Sequence, residues 1–102
     1  MQSIDTRELH ARHLDETGTI LDVRGPDEFA QGHVQGALNV PHDQVDGRLA
    51  EIPKDRPVLV HCAMGGRAQR AAAVLEAAGY EVICVTNGGM REWAELGFPT
   101  VR

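Results

Sequence analysis

The residues best suited to chemistry in this sequence are a cysteine and an arginine joined by a short loop. Cys62 follows the apolar run at residues 57–61, and Arg67 opens a helical pattern. The loop between them consists of Ala63, Met64, Gly65 and Gly66. Glycines let the backbone expose successive N–H groups into one concavity, and the helix start adds further donors. Together with Arg67 and Arg70, these donors favour a nucleophilic thiolate. The segment predicts that Cys62 is an activated nucleophile in an anion-binding loop that needs no metal or cofactor.

The alternative for Cys62 is a packed structural thiol, which is a common role for a cysteine at a strand end. The two glycines and the strand-to-helix setting favour the catalytic role instead. Cys84 differs because it lies inside the apolar run at 82–85, with no glycine or basic neighbour. We expect it to be a core thiol. No CxxC pair or metal-ligand spacing is present, so both cysteines are predicted to be free.

Apolar runs alternating with helical patterns predict the elements that position the loop. Strands are expected at 19–23, 37–40, 57–61 and 82–85, and helices at 6–14, 26–31, 44–51, 67–78 and 90–96. Continuous apolar strands are typical of a parallel sheet that is covered on both faces. The predicted fold is α/β, with three layers, an open and mainly parallel sheet, and helices on both faces. The length predicts one domain, residues 1–102.

In such sheets ligands bind beyond the carboxyl ends of the strands, where Asp22 and Arg24 join Cys62. These two residues either support the Cys62 loop electrostatically or form an ion pair that holds the helix beginning at Pro26. We favour the ion pair, since structural networks also contain such charges. His61 directly precedes Cys62, but neighbours on a strand face opposite sides, so we do not expect it to act as its base.

The charge pattern limits the partners that can be expected. The sequence has 15 Asp and Glu against 10 Lys and Arg, a formal net charge of −5, and Lys54 is its one lysine. Nucleic-acid binders usually present a basic surface, so DNA and RNA are not expected partners. No apolar run approaches the roughly 20 residues of a membrane span, and residues 1–15 do not resemble a signal peptide. We therefore expect a cytoplasmic protein without a membrane partner.

Three parts of the sequence resemble the signatures of the rhodanese-like domains, over residues 4–99. The first part consists of residues 21–24, 28–29 and 32–41. The second consists of residues 58–62 with Gly65 and Arg67, and the third of residues 79–82 and 88–93. The resemblance implies a sulfurtransferase in which Cys62 takes sulfane sulfur from a small anionic donor, thiosulfate or a polysulfide. The resulting persulfide would pass this sulfur to cyanide or another thiophilic acceptor, such as a thiol. Arg67 would orient the donor or fix the loop.

The length of the Cys–Arg loop distinguishes sulfur transfer from phosphate-ester hydrolysis. Phosphatases of the same fold have a Cys–Arg loop one residue longer, and Ala68 stands where their arginine would be. Many thiosulfate users carry a basic residue at the positions of Ala63 and Met64, so a persulfide or protein-bound sulfane sulfur is an alternative donor. A non-enzymatic interaction module or a sulfur-relay protein is the alternative function. The presence of Cys62 favours the enzyme.

Overall fold

Five strands and four α-helices alternate along the chain in the computed structural model, which describes all 102 residues. The strands are β1 (Gln2–Asp5), β2 (Thr19–Asp22), β3 (Leu38–Asn39), β4 (Val58–His61) and β5 (Val82–Asn87). The α-helices are α1 (Thr6–Leu14), α2 (Pro26–Gln31), α3 (Gly66–Ala77) and α4 (Met90–Glu95), with a 3₁₀ helix at Asp46–Glu51. None of the helices combines the length and apolar character needed to cross a bilayer.

The strands form one parallel sheet in the order β1-β5-β4-β2-β3, which places β4 at its centre. In register, Val60 of β4 lies between Leu21 of β2 and Cys84 of β5. Since β4 ends at His61, the loop that begins with Cys62 emerges from the middle of the carboxyl edge. This is the position where parallel α/β sheets bind ligands.

Local signals explain where the first two α-helices begin. The carboxylate of Asp5 accepts the N–H of Glu8 at 2.8 Å and caps the start of α1. At α2, Pro26 occupies the first helical turn, where its missing N–H has no cost. The side chain of Glu28 reaches back to the N–H of Gly25 at 3.1 Å. Both helices therefore begin where the sequence predicts.

Two apolar clusters pack against opposite faces of the sheet. The α3-side cluster contains Leu21, Val23, Val40, Val45, Ile52, Val58, Val60, Cys62, Ala68, Ala71, Ala72, Leu75, Val82 and Cys84. The α1/α4-side cluster contains Leu9, Ile20, Val34, Leu59, Ile83, Val85, Met90 and Trp93. Successive strand residues alternate between the two clusters, as the pleat requires. This confirms the predicted α/β fold with three layers and helices on both faces.

The structure adds one strand that the sequence analysis did not predict. β1 pairs with β5 in parallel, from Gln2 opposite Ile83 to Asp5 opposite Asn87. Its side chains are largely exposed and mostly polar, so no hydrophobic pattern indicated a strand. Main-chain hydrogen bonds to β5 define it, and those depend on residues far away in the sequence. β5 is correspondingly longer than predicted, since it continues through Thr86 and Asn87.

Two predicted elements are shorter or different in the structure. The helix expected at 44–51 is a 3₁₀ helix at Asp46–Glu51, interrupted by non-helical backbone at Arg48. Gly47 lowers the helical propensity of this segment and contributes to the irregularity. The strand expected at 37–40 is reduced to Leu38–Asn39 at the sheet edge, where it pairs with β2 alone.

We predict that Leu59→Ala lowers the free energy of unfolding by about 2–5 kcal/mol, because it opens a cavity in the central strand. Leu59 is fully buried, whereas Leu14 is 67% exposed at the end of α1. Leu14→Ala is the matched control and should change stability by no more than about 0.5 kcal/mol. Urea denaturation measures both variants. Equal losses for the two would contradict the assignment of the core.

Candidate active site

Cys62 lies at the end of the central strand, and its sulfur accepts two main-chain hydrogen bonds. The N–H of Gly65 donates to Sγ at 3.0 Å and the N–H of Ala68 donates at 3.3 Å. Both donors come from the short loop and the first turn of α3. The four other amides of this segment donate to no acceptor within the protein: Ala63, Met64, Gly66 and Arg67. The segment therefore has two N–H groups that donate to Sγ and four that have no acceptor within the protein.

The Cys62 side chain is almost completely buried. Cys62 is 1% exposed and belongs to the α3-side cluster, so hydrocarbon packs against it. The sulfur therefore sits at a boundary between apolar core and main-chain donors. An incoming sulfur atom has to be small and terminal, or the loop has to open slightly to admit it.

Two glycines allow other elements to approach the loop closely. Gly65 has φ +115°, and a Cβ there would overlap the carbonyl oxygen of Thr86 in β5. Gly89 has φ +140°, and a Cβ there would overlap the carbonyl oxygen of Cys62. Left-handed backbone of this kind favours glycine, so both positions are constrained by conformation as well as space. The loop is consequently held by main chain from β5 and from the turn before α4.

The first residues of α4 also donate hydrogen bonds to the loop. The N–H of Met90 donates to the carbonyl of Cys62 at 2.9 Å, and the N–H of Arg91 donates to that of Ala63 at 3.2 Å. These bonds fix the path of the chain on both sides of the thiol, and they place Arg91 beside the loop.

Arg67 forms a two-pronged ion pair with Glu28 of α2. Its two terminal nitrogens donate to the two carboxylate oxygens at 2.7 and 3.0 Å. The Arg67 hydrogen bond lowers the pKa of Glu28 to about 2, and the same bond raises the pKa of Arg67. Because this geometry occupies the guanidinium, Arg67 ties the start of α3 to α2. Contact between Arg67 and a donor stays a prediction.

Asp22 and Arg24 form a buried ion pair at the end of β2. The guanidinium donates to both carboxylate oxygens, with the shortest distance 2.8 Å, and it also donates to the carbonyl of Gly32 at 2.8 Å. Gly32 is the residue after α2. The pair therefore ties β2 to the far end of α2, which agrees with the structural interpretation of these residues. Electrostatic support of the Cys62 loop stays a prediction.

His61 is fully buried and lacks a good polar partner. Its Nε2 has no hydrogen bond and lies 3.9 Å from the nearer carboxylate oxygen of Asp22, and its Nδ1 is 3.5 Å from the carbonyl of Cys62. Burial lowers the pKa of His61, and the neighbouring carboxylate opposes this only in part. The imidazole is therefore neutral at neutral pH. By strand alternation it faces away from the Cys62 side chain, as the sequence predicts.

The other candidates have structural positions. Cys84 is fully buried, and burial raises its pKa to about 11, which confirms it as a core thiol rather than a second nucleophile. Both cysteines are free, as predicted. No group of three or more His, Cys, Asp or Glu side chains is arranged to hold a metal ion. Cys62 is thus the one thiol that combines main-chain donors with a position at the carboxyl edge of the sheet.

Two shallow cavities flank the Cys62 loop, and both are lined by Ala63 and Arg91. The α2/α4 cavity has a volume of about 330 Å³ and is also lined by Arg24, Glu28 and Gly32. The second cavity, about 320 Å³, has Glu92 and Glu95 in its wall. A larger cavity of about 570 Å³ lies around Thr19, at the amino end of β2 and away from Cys62.

Comparison with known proteins agrees with the resemblance in the sequence. The family model described as the rhodanese-like domain matches residues 5–96. A sulfurtransferase of Allochromatium vinosum is 38% identical over 102 residues, covering 99% of this chain and 95% of that protein.

Solved structures give the same result for the fold. A rhodanese-related protein from Thermoplasma volcanium superposes with a TM-score of 0.89 at 30% identity, covering 99% of this chain and 98% of that one. A rhodanese-like domain protein from Staphylococcus aureus superposes with a TM-score of 0.82 at 34% identity, covering 91% of each chain. The similarity therefore extends over nearly the whole fold, including the segment around Cys62.

We predict that buried His61 makes the protein less stable as the pH falls from about 7.5 to about 5. The unfolded chain binds a proton at His61 below about pH 6.5, whereas the folded chain resists it because its pKa is lowered. Stability is therefore complete above this pH and decreases below it, by at most about 1.4 kcal/mol per pH unit for one proton.

Urea denaturation across this pH range measures the effect in the wild type, His61→Leu and His61→Asn. Both variants should show a flatter pH dependence, because neither can titrate, whatever each does to absolute stability. The carboxyl of Glu28 loses its contribution only at pH below about 4.5, outside this range. A pH dependence as steep in both variants as in the wild type would refute the prediction.

Proposed function

The chain belongs to the rhodanese-like domain family of sulfurtransferases, and we propose that Cys62 is its sulfur-carrying nucleophile. The observation that carries the proposal is the pair of main-chain hydrogen bonds from Gly65 and Ala68 to its Sγ. A main-chain N–H stabilises the sulfur that accepts its hydrogen bond, and a thiolate is a stronger acceptor than a thiol. On this proposal Cys62 attacks sulfane sulfur as the thiolate, which is the form that accepts these two hydrogen bonds best.

In the first half of the proposed reaction the Cys62 thiolate attacks the outer sulfur of the donor. With thiosulfate, a bond forms between Sγ and the sulfane sulfur while the donor's own S–S bond breaks. The bonding pair leaves with sulfite, so the protein retains a persulfide with a single negative charge. No cofactor or external redox agent is needed, because the sulfur moves with its charge balanced on both sides.

The outer sulfur of this persulfide carries the negative charge, so it needs hydrogen-bond donors of its own. The amides of Ala63, Met64, Gly66 and Arg67 belong to the same short segment and have no acceptor within the protein. We propose that a subset of them donates to the terminal sulfur, as main-chain donors do for the anion in an oxyanion hole. Such donors are already in place before the reaction, so little reorganisation is required.

In the second half a thiophilic acceptor attacks the terminal sulfur and regenerates Cys62. With cyanide, a carbon–sulfur bond forms, the persulfide S–S bond breaks, and thiocyanate leaves with one negative charge. A thiolate acceptor would leave as a persulfide by the same displacement. Donor and acceptor thus use the protein in turn, as in a ping-pong cycle. We place this activity in the cytoplasm as part of the proposal.

A second candidate is a sulfur relay, in which the acceptor is a cysteine of another protein. Met64 favours this candidate, because it is a large apolar side chain that is 65% exposed at the tip of the active-site loop. Methionine is common at adaptable protein-binding surfaces, because its side chain is flexible and polarisable. The chemistry at Cys62 is the same for both candidates. They differ in whether a small nucleophile is turned over efficiently.

We predict that incubation with thiosulfate or a polysulfide adds the mass of one sulfur atom to the protein at Cys62. Cys62→Ser should take up no sulfur, because an alcohol is not a nucleophile in this setting. Cys84→Ser is the matched control and should react like the wild type, since Cys84 is a buried, protonated thiol. Intact-protein mass spectrometry before and after addition of cyanide measures both halves of the cycle.

Loss of the added mass on treatment with cyanide would support turnover of a small acceptor. A stable adduct that only thiol-containing proteins remove would favour the relay. Absence of an adduct with every donor, or an adduct that survives in Cys62→Ser, would overturn the proposed role of Cys62. The non-enzymatic interaction module would then be the better hypothesis.

A further inference from the structure

The positive charges nearest the active-site loop are mostly neutralised by carboxylates. Arg24 is paired with Asp22 at 2.8 Å, and Arg67 is paired with Glu28 at 2.7 Å. Neither guanidinium can turn towards a donor without breaking a two-pronged ion pair. An anionic sulfur donor therefore needs another cation if charge is to bring it to Cys62.

Arg91 is the unpaired cation that lines both cavities beside the loop, whereas Arg70, which also has no carboxylate partner, lines neither of them. The Arg91 side chain is exposed, and no carboxylate oxygen lies within 4.0 Å of its guanidinium. The guanidinium makes one weak hydrogen bond, which it donates to the sulfur of Met64 at 3.7 Å. Its main-chain N–H is bonded to Ala63 at 3.2 Å, so the residue is anchored while the side chain keeps its donors.

The two cavities beside Arg91 differ in charge. The second cavity has Glu92 and Glu95 in its wall and repels an anion. In the α2/α4 cavity the one carboxylate, that of Glu28, is already bonded to Arg67. Its volume of about 330 Å³ falls at the lower end of the range for small-molecule sites. A small anion is therefore favoured on the α2/α4 side, between Arg91 and the loop.

We propose that Arg91 is a specificity-determining residue that binds the anionic group of the sulfur donor in the α2/α4 cavity. The inference rests on the proposed function of Cys62 and assigns the charge selection to α4 rather than to the loop. The donor class that fits is a small molecule with a terminal sulfane sulfur and an adjacent sulfonate or carboxylate. Ala63 lines this cavity without adding charge, whereas Met64 lines the second cavity.

The first test uses two alkylating reagents that differ in charge, iodoacetate and iodoacetamide, and does not depend on sulfur transfer. Arg91→Ala should slow alkylation of Cys62 by iodoacetate about five- to tenfold, while the rate with neutral iodoacetamide changes little. Arg91→Lys should recover most of the iodoacetate rate, because it keeps the charge. Added salt should reduce the iodoacetate rate of the wild type more than that of Arg91→Ala.

The control is Arg56→Ala, which changes the net charge equally at the opposite end of the sheet. Arg56 lines the cavity at the amino end of β2 and should leave both alkylation rates unchanged. In steady-state assays with thiosulfate and cyanide, Arg91→Ala should lower kcat/KM for thiosulfate about tenfold and leave kcat at saturation nearly unchanged.

The outcomes separate this inference from the proposed function. If Cys62 reacts with both reagents and Arg91→Ala leaves their ratio unchanged, Arg91 is not the donor-binding residue and the role of Cys62 still holds. If Arg56→Ala alters the ratio as much as Arg91→Ala, the effect is one of net charge and the inference fails. If neither thiosulfate nor a polysulfide leaves a sulfur adduct on Cys62, the proposed function itself fails.

Discussion

The contact between the Cys62 sulfur and the amides of its own loop is the interaction on which the rest of the structure depends. Two main-chain N–H groups donate to this sulfur, and apolar side chains of the α3-side cluster pack around it. The site therefore balances hydrocarbon on one side against main-chain donors on the other. Most of the fold around it serves to hold that loop in one conformation.

Three separate elements hold the loop, two of them through main chain and the third through a partly exposed ion pair. β5 approaches at Gly65, α4 bonds to the carbonyls of Cys62 and Ala63, and α2 is tied to α3 through the Glu28–Arg67 pair. Contacts of this kind leave the amide donors free for the sulfur chemistry. Arg67 is occupied by its ion pair with Glu28, and this is the reason why we assign charge recognition to Arg91 of α4.

The sequence predicts the central strand and the loop that follows it because their signals are local, and the same signals are the basis for proposing Cys62 as the nucleophile. Apolar runs, paired glycines and a helical pattern all lie within a few residues of Cys62, and the layered fold follows from their alternation. β1 escaped prediction because its residues are polar and its pairing with β5 is long-range. The partner of Arg67 lies 39 residues away in the chain, and the near-complete burial of Cys62 arises from tertiary packing. Local patterns do not encode distances of that kind.

The most direct test of the central claim is the ultraviolet absorbance of the thiolate as a function of pH. It is measured on the Cys84→Ser protein, so that Cys62 is the only thiol, and the absorbance of the double variant Cys62→Ser/Cys84→Ser is subtracted as background. The account predicts that thiolate absorbance is already present in neutral solution and disappears on acidification. If absorbance appears only in alkaline solution, as for an ordinary free cysteine, the loop amides do not hold the sulfur as an anion and the account is contradicted.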